Sequence, residues 1–170
     1  MFFEPDQFEW TPHLEAAFPL IRAEFDQLKA EDALPWPETF LYNQNWEVFG
    51  LYAFGRKMKG NCQKCPQTVA ALEAIPGLKT AGFSILHPGT RIQPHVGYSD
   101  QVLRCHLGIH VPKDCCLQVA GITKTWQEGK LLIFDDTFEH SAWNGGDRNR
   151  IVLLLDFLKP ECIKNEVTTA

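Results

Sequence analysis

Apolar positions recur along this chain with two different periods. Between Pro12 and Lys29, Leu14, Phe18, Ile21, Phe25 and Leu28 fall at helical spacing and predict one amphipathic helix. Thr11 is its expected N-cap, with Pro12 at the first helical position. Pro19 should kink the helix or split it in two. Ala33 to Pro37 begins a loop, and an aromatic-rich strand is expected near Val48 to Phe54. Residues Gly60 to Cys65 read as loop, and Gln67 to Ile75 as a second helix stopped by Pro76-Gly77.

From Leu78 onward the period drops to two. Expected strands are Thr80–His87, Arg91–His95, Leu103–Val111, Leu117–Ala120, Lys124–Trp126, Leu131–Phe134 and Arg150–Leu158, with turn signals at Gly121 and Glu128-Gly129. Many short strands at close spacing predict a mainly β, jelly-roll barrel with the N-terminal helices packed outside. The expected organisation is a single domain. Residues 1–77 form a helical and mixed part, 78–160 the barrel core, and 161–170 a tail.

Two strands carry polar positions with a consistent side. In Leu103–Val111, Arg104 and His106 share the face opposite Leu103, Cys105, Leu107 and Ile109. That face is either solvated or lines the mouth of a ligand cavity. Arg150–Leu158 is apolar on nearly both faces, which predicts a central, buried strand. Arg150 at its start then requires an anionic partner. A protein carboxylate such as Asp135 or Asp136 would serve, and so would the far carboxylate of a bound 2-oxo acid.

Composition narrows the function classes. The 170 residues suit one well-cored domain. A formal net charge of −5 argues against nucleic-acid binding. The start, Met1 to Asp6, lacks the features of a signal peptide, and the longest apolar run, Ile151 to Leu155, is too short for a bilayer. A soluble cytoplasmic protein with no membrane partner is expected. Its six cysteines are then reduced thiols, and Cys62-Gln63-Lys64-Cys65 reads as two loop thiols without an essential role.

Two histidines in the β half, His95 and His140, are candidate metal ligands. His13, His87 and His110 read as surface or structural residues. Non-haem Fe(II) oxygenases usually add a carboxylate two residues after the first histidine. That position is Gly97 here, and Asp100 is at the wrong spacing.

The chain closely resembles the aspartyl/asparaginyl β-hydroxylase family from about residue 83 to 160. The resemblance rests on Ser84-Ile85-Leu86-His87-Pro88-Gly89-Thr90, Pro94-His95-Val96-Gly97, Leu103-Arg104-Cys105-His106-Leu107-Gly108, Thr125-Trp126-Gln127-Glu128-Gly129-Lys130, and Phe134 through His140. Arg150 and Asp156 on the last strand complete it. It implies a double-stranded β-helix (cupin-like) fold and a dioxygenase using Fe(II), 2-oxoglutarate and O2. The product would be hydroxylated at an unactivated C–H, such as the β-carbon of an aspartyl or asparaginyl unit, with release of succinate and CO2. It further implies iron on His95 and His140, with water in place of the missing carboxylate. Ser84 and Arg150 would hold the far carboxylate of 2-oxoglutarate, with His106 near the 2-oxo acid. Arg104 would take a direct part in catalysis, near the 2-oxo acid or the substrate.

Val102 stands where members acting on aspartyl side chains often carry a second arginine. A carboxylate-bearing small molecule, or a unit on a peptide or carrier, would then rely on Arg104, Arg91 or Arg148. Two other readings stay open: a non-catalytic ligand-binding barrel, and a related halogenase that places chloride where the carboxylate is missing.

Overall fold

The computed structural model describes residues 1–163, so 164–170 of the expected tail lie outside the described residues. The N-terminal part contributes β1 (Phe2–Phe3), α1 (Thr11–Ala16), α2 (Phe18–Phe25), β2 (Leu34–Pro35), β3 (Trp46–Ala53), β4 (Arg56–Lys57), α3 (Lys59–Lys64) and α4 (Pro66–Glu73). The β half contributes β5 (Leu78–Leu86), β6 (Arg91–His95), β7 (Val102–His110), β8 (Cys115–Val119), β9 (Ile122–Lys124), β10 (Leu131–Phe134), β11 (His140–Asn144) and β12 (Arg150–Leu158).

The strands form two antiparallel sheets, as expected for a jelly roll. The larger runs β1-β10-β7-β12-β5-β3-β2, with β4 attached to β3; the smaller runs β6-β11-β8-β9. β12 lies at the centre of the larger sheet, and all nine of its residues are buried. Its alternation has a simple destination. Ile151, Leu153, Leu155 and Phe157 pack outward into a core shared with the helices. Val152 and Leu154 pack inward against the smaller sheet, alongside Leu117, Val119 and Trp126. On β7, Leu103, Cys105, Leu107 and Ile109 likewise join the outer core, so Arg104 and His106 point between the sheets.

The N-terminal helix is split in two, one of the outcomes expected of Pro19, which is tolerated only in a first turn, so that α2 restarts around it. Three expectations need correction. Thr11 is not an N-cap. It is the first residue of α1, and its Oγ1 donates to the carbonyls of Pro5 and Phe8. The segment around Gly60 is helix α3 rather than loop. Two contacts fix it on β3: Asn61 Nδ2 donates to the Gly50 carbonyl at 2.7 Å, and Cys62 Sγ lies 3.2 Å from the Leu51 carbonyl. Tertiary anchoring here overrides weak local propensity. Finally, β11 was not anticipated, since Ser141 and Asn144 dilute its β character.

All six cysteines are free. Cys62 and Cys65 are buried beside the outer core. Burial pushes the Cys65 thiol up to about 12, so it is inert as a nucleophile at neutral pH. No helix of the described residues is long and apolar enough to cross a membrane.

Candidate active site

His95 ends β6 and His140 opens β11, and the two are direct cross-strand partners. A register shift between His140 and Ala142 kinks the ladder at this point. The ring centroids lie 4.1 Å apart, with the planes inclined at 51°. His95 Nδ1 lies 2.7 Å from the Gln93 carbonyl, and His140 Nδ1 lies 3.0 Å from the Phe138 carbonyl. A carbonyl only accepts, so each Nδ1 carries a proton, and Nε2 is the nitrogen that presents a lone pair in the neutral ring. This is how histidine ligands are oriented by their outer partners. Burial, then the neighbouring His95, lowers the His140 pKa to about 4, so its imidazole is neutral at physiological pH.

Among the described residues no group of three His, Cys, Asp or Glu side chains is arranged to hold a metal. Gly97 explains the missing carboxylate sterically. Its N–H donates to the Asp136 carbonyl at 2.6 Å, and a Cβ at this position would come 2.3 Å from Asp136 Oδ2. A side chain at 97 has no room while Asp136 occupies that space.

Behind the imidazoles lies a hollow between the sheets, lined by Ser84, His106, Trp126 and Arg150 among others. Arg150 is 1% exposed, and its Nε and Nη1 have no hydrogen-bond partner among the described residues. Neither carboxylate considered from the sequence reaches it. Asp135 is held by Lys159 at 2.8 Å, and Asp136 lies 3.3 Å from Arg104 Nη2. The guanidinium instead sits 4.7 Å from the Trp126 ring centroid. Burial pulls its pKa down to about 10, which still leaves it charged at neutral pH.

His106 points into the same hollow. Trp126 Nε1, which can only donate, reaches His106 Nδ1 at 3.1 Å. The proton of His106 is therefore on Nε2, which is buried without an acceptor. Burial, reinforced by Arg150 and Arg104, holds its pKa well below the usual range, so the ring is a neutral donor. Ser84 faces Val152 across the β5–β12 ladder, and its Oγ accepts from Trp46 Nε1 at 2.9 Å. Its hydroxyl proton remains for another partner. Three donors, from Arg150, His106 and Ser84, thus line one hollow that holds no carboxylate among the described residues.

Arg104 is placed differently. Its Nε and Nη2 grip Asp156 at 2.8 and 3.1 Å, and Nη2 also approaches Asp136. Burial opposes its charge, but Asp156 and Asp136 more than offset this and raise its pKa above the ordinary value. It lines both the hollow and the cavity in front of the imidazoles. Arg91 and Arg148 are exposed and line neither. His13 is on the surface, while His87 and His110 pair with Glu47 and Asp26 at 2.5 and 2.6 Å on the outside.

Sequence reasoning did not single out Trp126, Trp46 or Asp136 as site residues. Asp136 carried a faint signal, since it falls four residues before His140. Trp126 stood in one of the motifs that carry the resemblance and Trp46 in none, but the role of each depends on side chains brought from other strands.

A jelly roll with a tautomer-fixed imidazole pair at its opening and an unmatched cation behind it has the layout of an oxygenase. The chain belongs to the aspartyl/asparaginyl β-hydroxylase family: the family model described as Aspartyl/Asparaginyl beta-hydroxylase matches residues 15–160. It is 41% identical to an ornithine lipid ester-linked acyl 2-hydroxylase of Rhizobium tropici, over 93% of this chain and 60% of that protein. It is 37% identical to the human aspartyl/asparaginyl beta-hydroxylase, over 89% of this chain but 23% of that protein. The chain thus spans between about a quarter and three fifths of these relatives. A prolyl-4-hydroxylase of Pseudomonas putida shares the fold at a TM-score of 0.50 and 17% identity, covering 88% of this chain and 87% of that one.

Proposed function

We propose that this hydroxylase is an Fe(II)- and 2-oxoglutarate-dependent dioxygenase. O2 and 2-oxoglutarate are consumed, an unactivated C–H becomes C–OH, and succinate and CO2 are released. The observation that carries this reading is Arg150, a buried cation whose Nε and Nη1 find no acceptor. Leaving a charge in that state is costly unless an anion arrives. A dicarboxylate fits the donor set: the Arg150 fork, the Ser84 hydroxyl and the orphaned Nε2–H of His106 are all hydrogen-bond donors.

The residues also fit the metal. His95 and His140 both turn Nε2 away from their carbonyl partners, and imidazole nitrogen is a ligand type that suits iron. Iron with 2-oxoglutarate and O2 supplies the oxidising power for C–H hydroxylation, and the protein binds, orients and shields. Arg150 and Ser84 would fix the far carboxylate, with His106 beside the 2-oxo group. Arg104, stiffened by its two aspartates, would form the wall between cosubstrate and substrate. An aspartyl or asparaginyl unit, or a similar group on a small molecule, peptide, carrier or lipid, would be hydroxylated; the two relatives named above span that range. Six free thiols suit a reducing, cytoplasmic setting.

The test is anaerobic. Fe(II) added with 2-oxoglutarate should develop a visible charge-transfer band, and His140→Ala should abolish it. With air admitted, succinate should appear. A protein that gives neither band nor succinate refutes the reading.

A further inference from the structure

A cavity of about 520 Å³ opens in front of the imidazole pair, between residues 36–41 and the turn at 93–98. Its walls are aromatic: Trp36, Phe40, Trp46 and Tyr98. Trp36 stacks flat on Trp46, with centroids 4.1 Å apart and planes 5° off parallel. Phe40 and Tyr98 are 76% and 89% exposed, so large apolar faces rim the opening rather than pack inside.

The charges around these rings are unbalanced. Among the described residues Arg104 is the one lysine or arginine lining the cavity, and its fork is shared by Asp156 and, at 3.3 Å, Asp136. Glu38 is the carboxylate there with no ion-pair partner among the described residues. Glu38 accepts from Trp36 Nε1 at 3.2 Å and from the Tyr98 hydroxyl at 2.5 Å, both neutral donors. Asp136 is 3% exposed, and its Oδ1 has no partner. A loaded centre does not reverse this balance, because the two charges of Fe(II) and those of the 2-oxoglutarate dianion cancel.

We infer that the group entering this mouth is a protonated amine, seated against Glu38 among the faces of Trp36, Phe40 and Tyr98. Ammonium ions favour aromatic faces electrostatically, and an adjacent carboxylate adds to this. An anion would meet the negative faces of the same rings and the Glu38 carboxylate. The inference rests on the hydroxylase reading only in taking this mouth as the substrate's entrance. It assigns a substrate that carries an amine near the carbon to be hydroxylated.

The test uses the Arg150→Ala variant without metal or 2-oxoglutarate, so that a carboxylate probe is not drawn into the hollow and failure of the dioxygenase assay and failure of this inference are separate results. The fluorescence of Trp36 and Trp46 is titrated with two probes of equal apolar length, n-octylammonium and octanoate, at low salt. Octylammonium should bind about tenfold more tightly. Glu38→Gln should remove most of that preference, and Phe40→Ala should weaken octylammonium by about threefold. Phe40 is exposed, so its variant should keep its fold, which circular dichroism checks. Equal or tighter binding of octanoate, or a preference unaltered in both variants, overturns the inference.

Discussion

The hollow and the mouth each contain a buried arginine, and the protein treats the two in opposite ways. At the mouth, Arg104 is clamped by Asp156 and Asp136, and its charge is reinforced. In the hollow, Arg150 has a tryptophan face and no carboxylate, and its pKa falls to about 10. His106 and His140 share that condition, both held neutral chiefly by burial. Arg104 is therefore matched by carboxylates, while Arg150 has none among the described residues. An ion pair within the protein reads as architecture; a buried, orphaned cation reads as a binding site.

The largest effect should come from breaking the complete pair. Arg104→Ala leaves Asp156 and Asp136 buried without their cation, and thermal or denaturant unfolding should show a loss of about 3–5 kcal/mol. An unchanged midpoint would mean that Arg104 is a substrate group and not a structural one. Next comes pH. His140 has a folded pKa of about 4 against an ordinary 6.5, so the unfolded chain binds more protons between those values. Stability of the metal-free protein should fall as pH drops from about 6.5 to 4, by up to about 3 kcal/mol. His140→Gln should lessen that slope, leaving the part that His106 contributes, and an unaltered slope would place its origin outside His140.

Removing the orphan should be mildest for the fold and selective for the ligand. Arg150→Ala should weaken 2-oxoglutarate binding by about 1.5–3 kcal/mol, roughly ten- to a hundred-fold. Its melting temperature should hold or rise, because an uncompensated charge has been taken out of the interior. Calorimetry of both properties checks this. A destabilised variant with intact 2-oxoglutarate affinity would erase the contrast between the two arginines.

Much of this was legible in the chain. The alternation in residues 103–111 put Arg104 and His106 on one side, and the two-sided apolarity of 150–158 put that strand at the centre. Both held because a strand's period of two converts directly into faces. The same logic failed where tertiary contact outweighed local preference. Residues 59–64 became a helix through bonds to β3, and β11 formed from a segment of modest strand propensity because β6 and β8 flank it.

By itself, then, the sequence determined which residues face inward, that a jelly roll results, and which imidazoles and arginines are available. The tertiary structure decided who is paired with whom. Arg104 and Asp156 lie 52 positions apart, and the carboxylates that the sequence offered to Arg150, Asp135 and Asp136, were drawn off to Lys159 and Arg104. Ion pairing is a short-range interaction that depends on which strands become neighbours and in what register. Only folding fixes that register, so only the folded molecule reveals which cation is left without an anion.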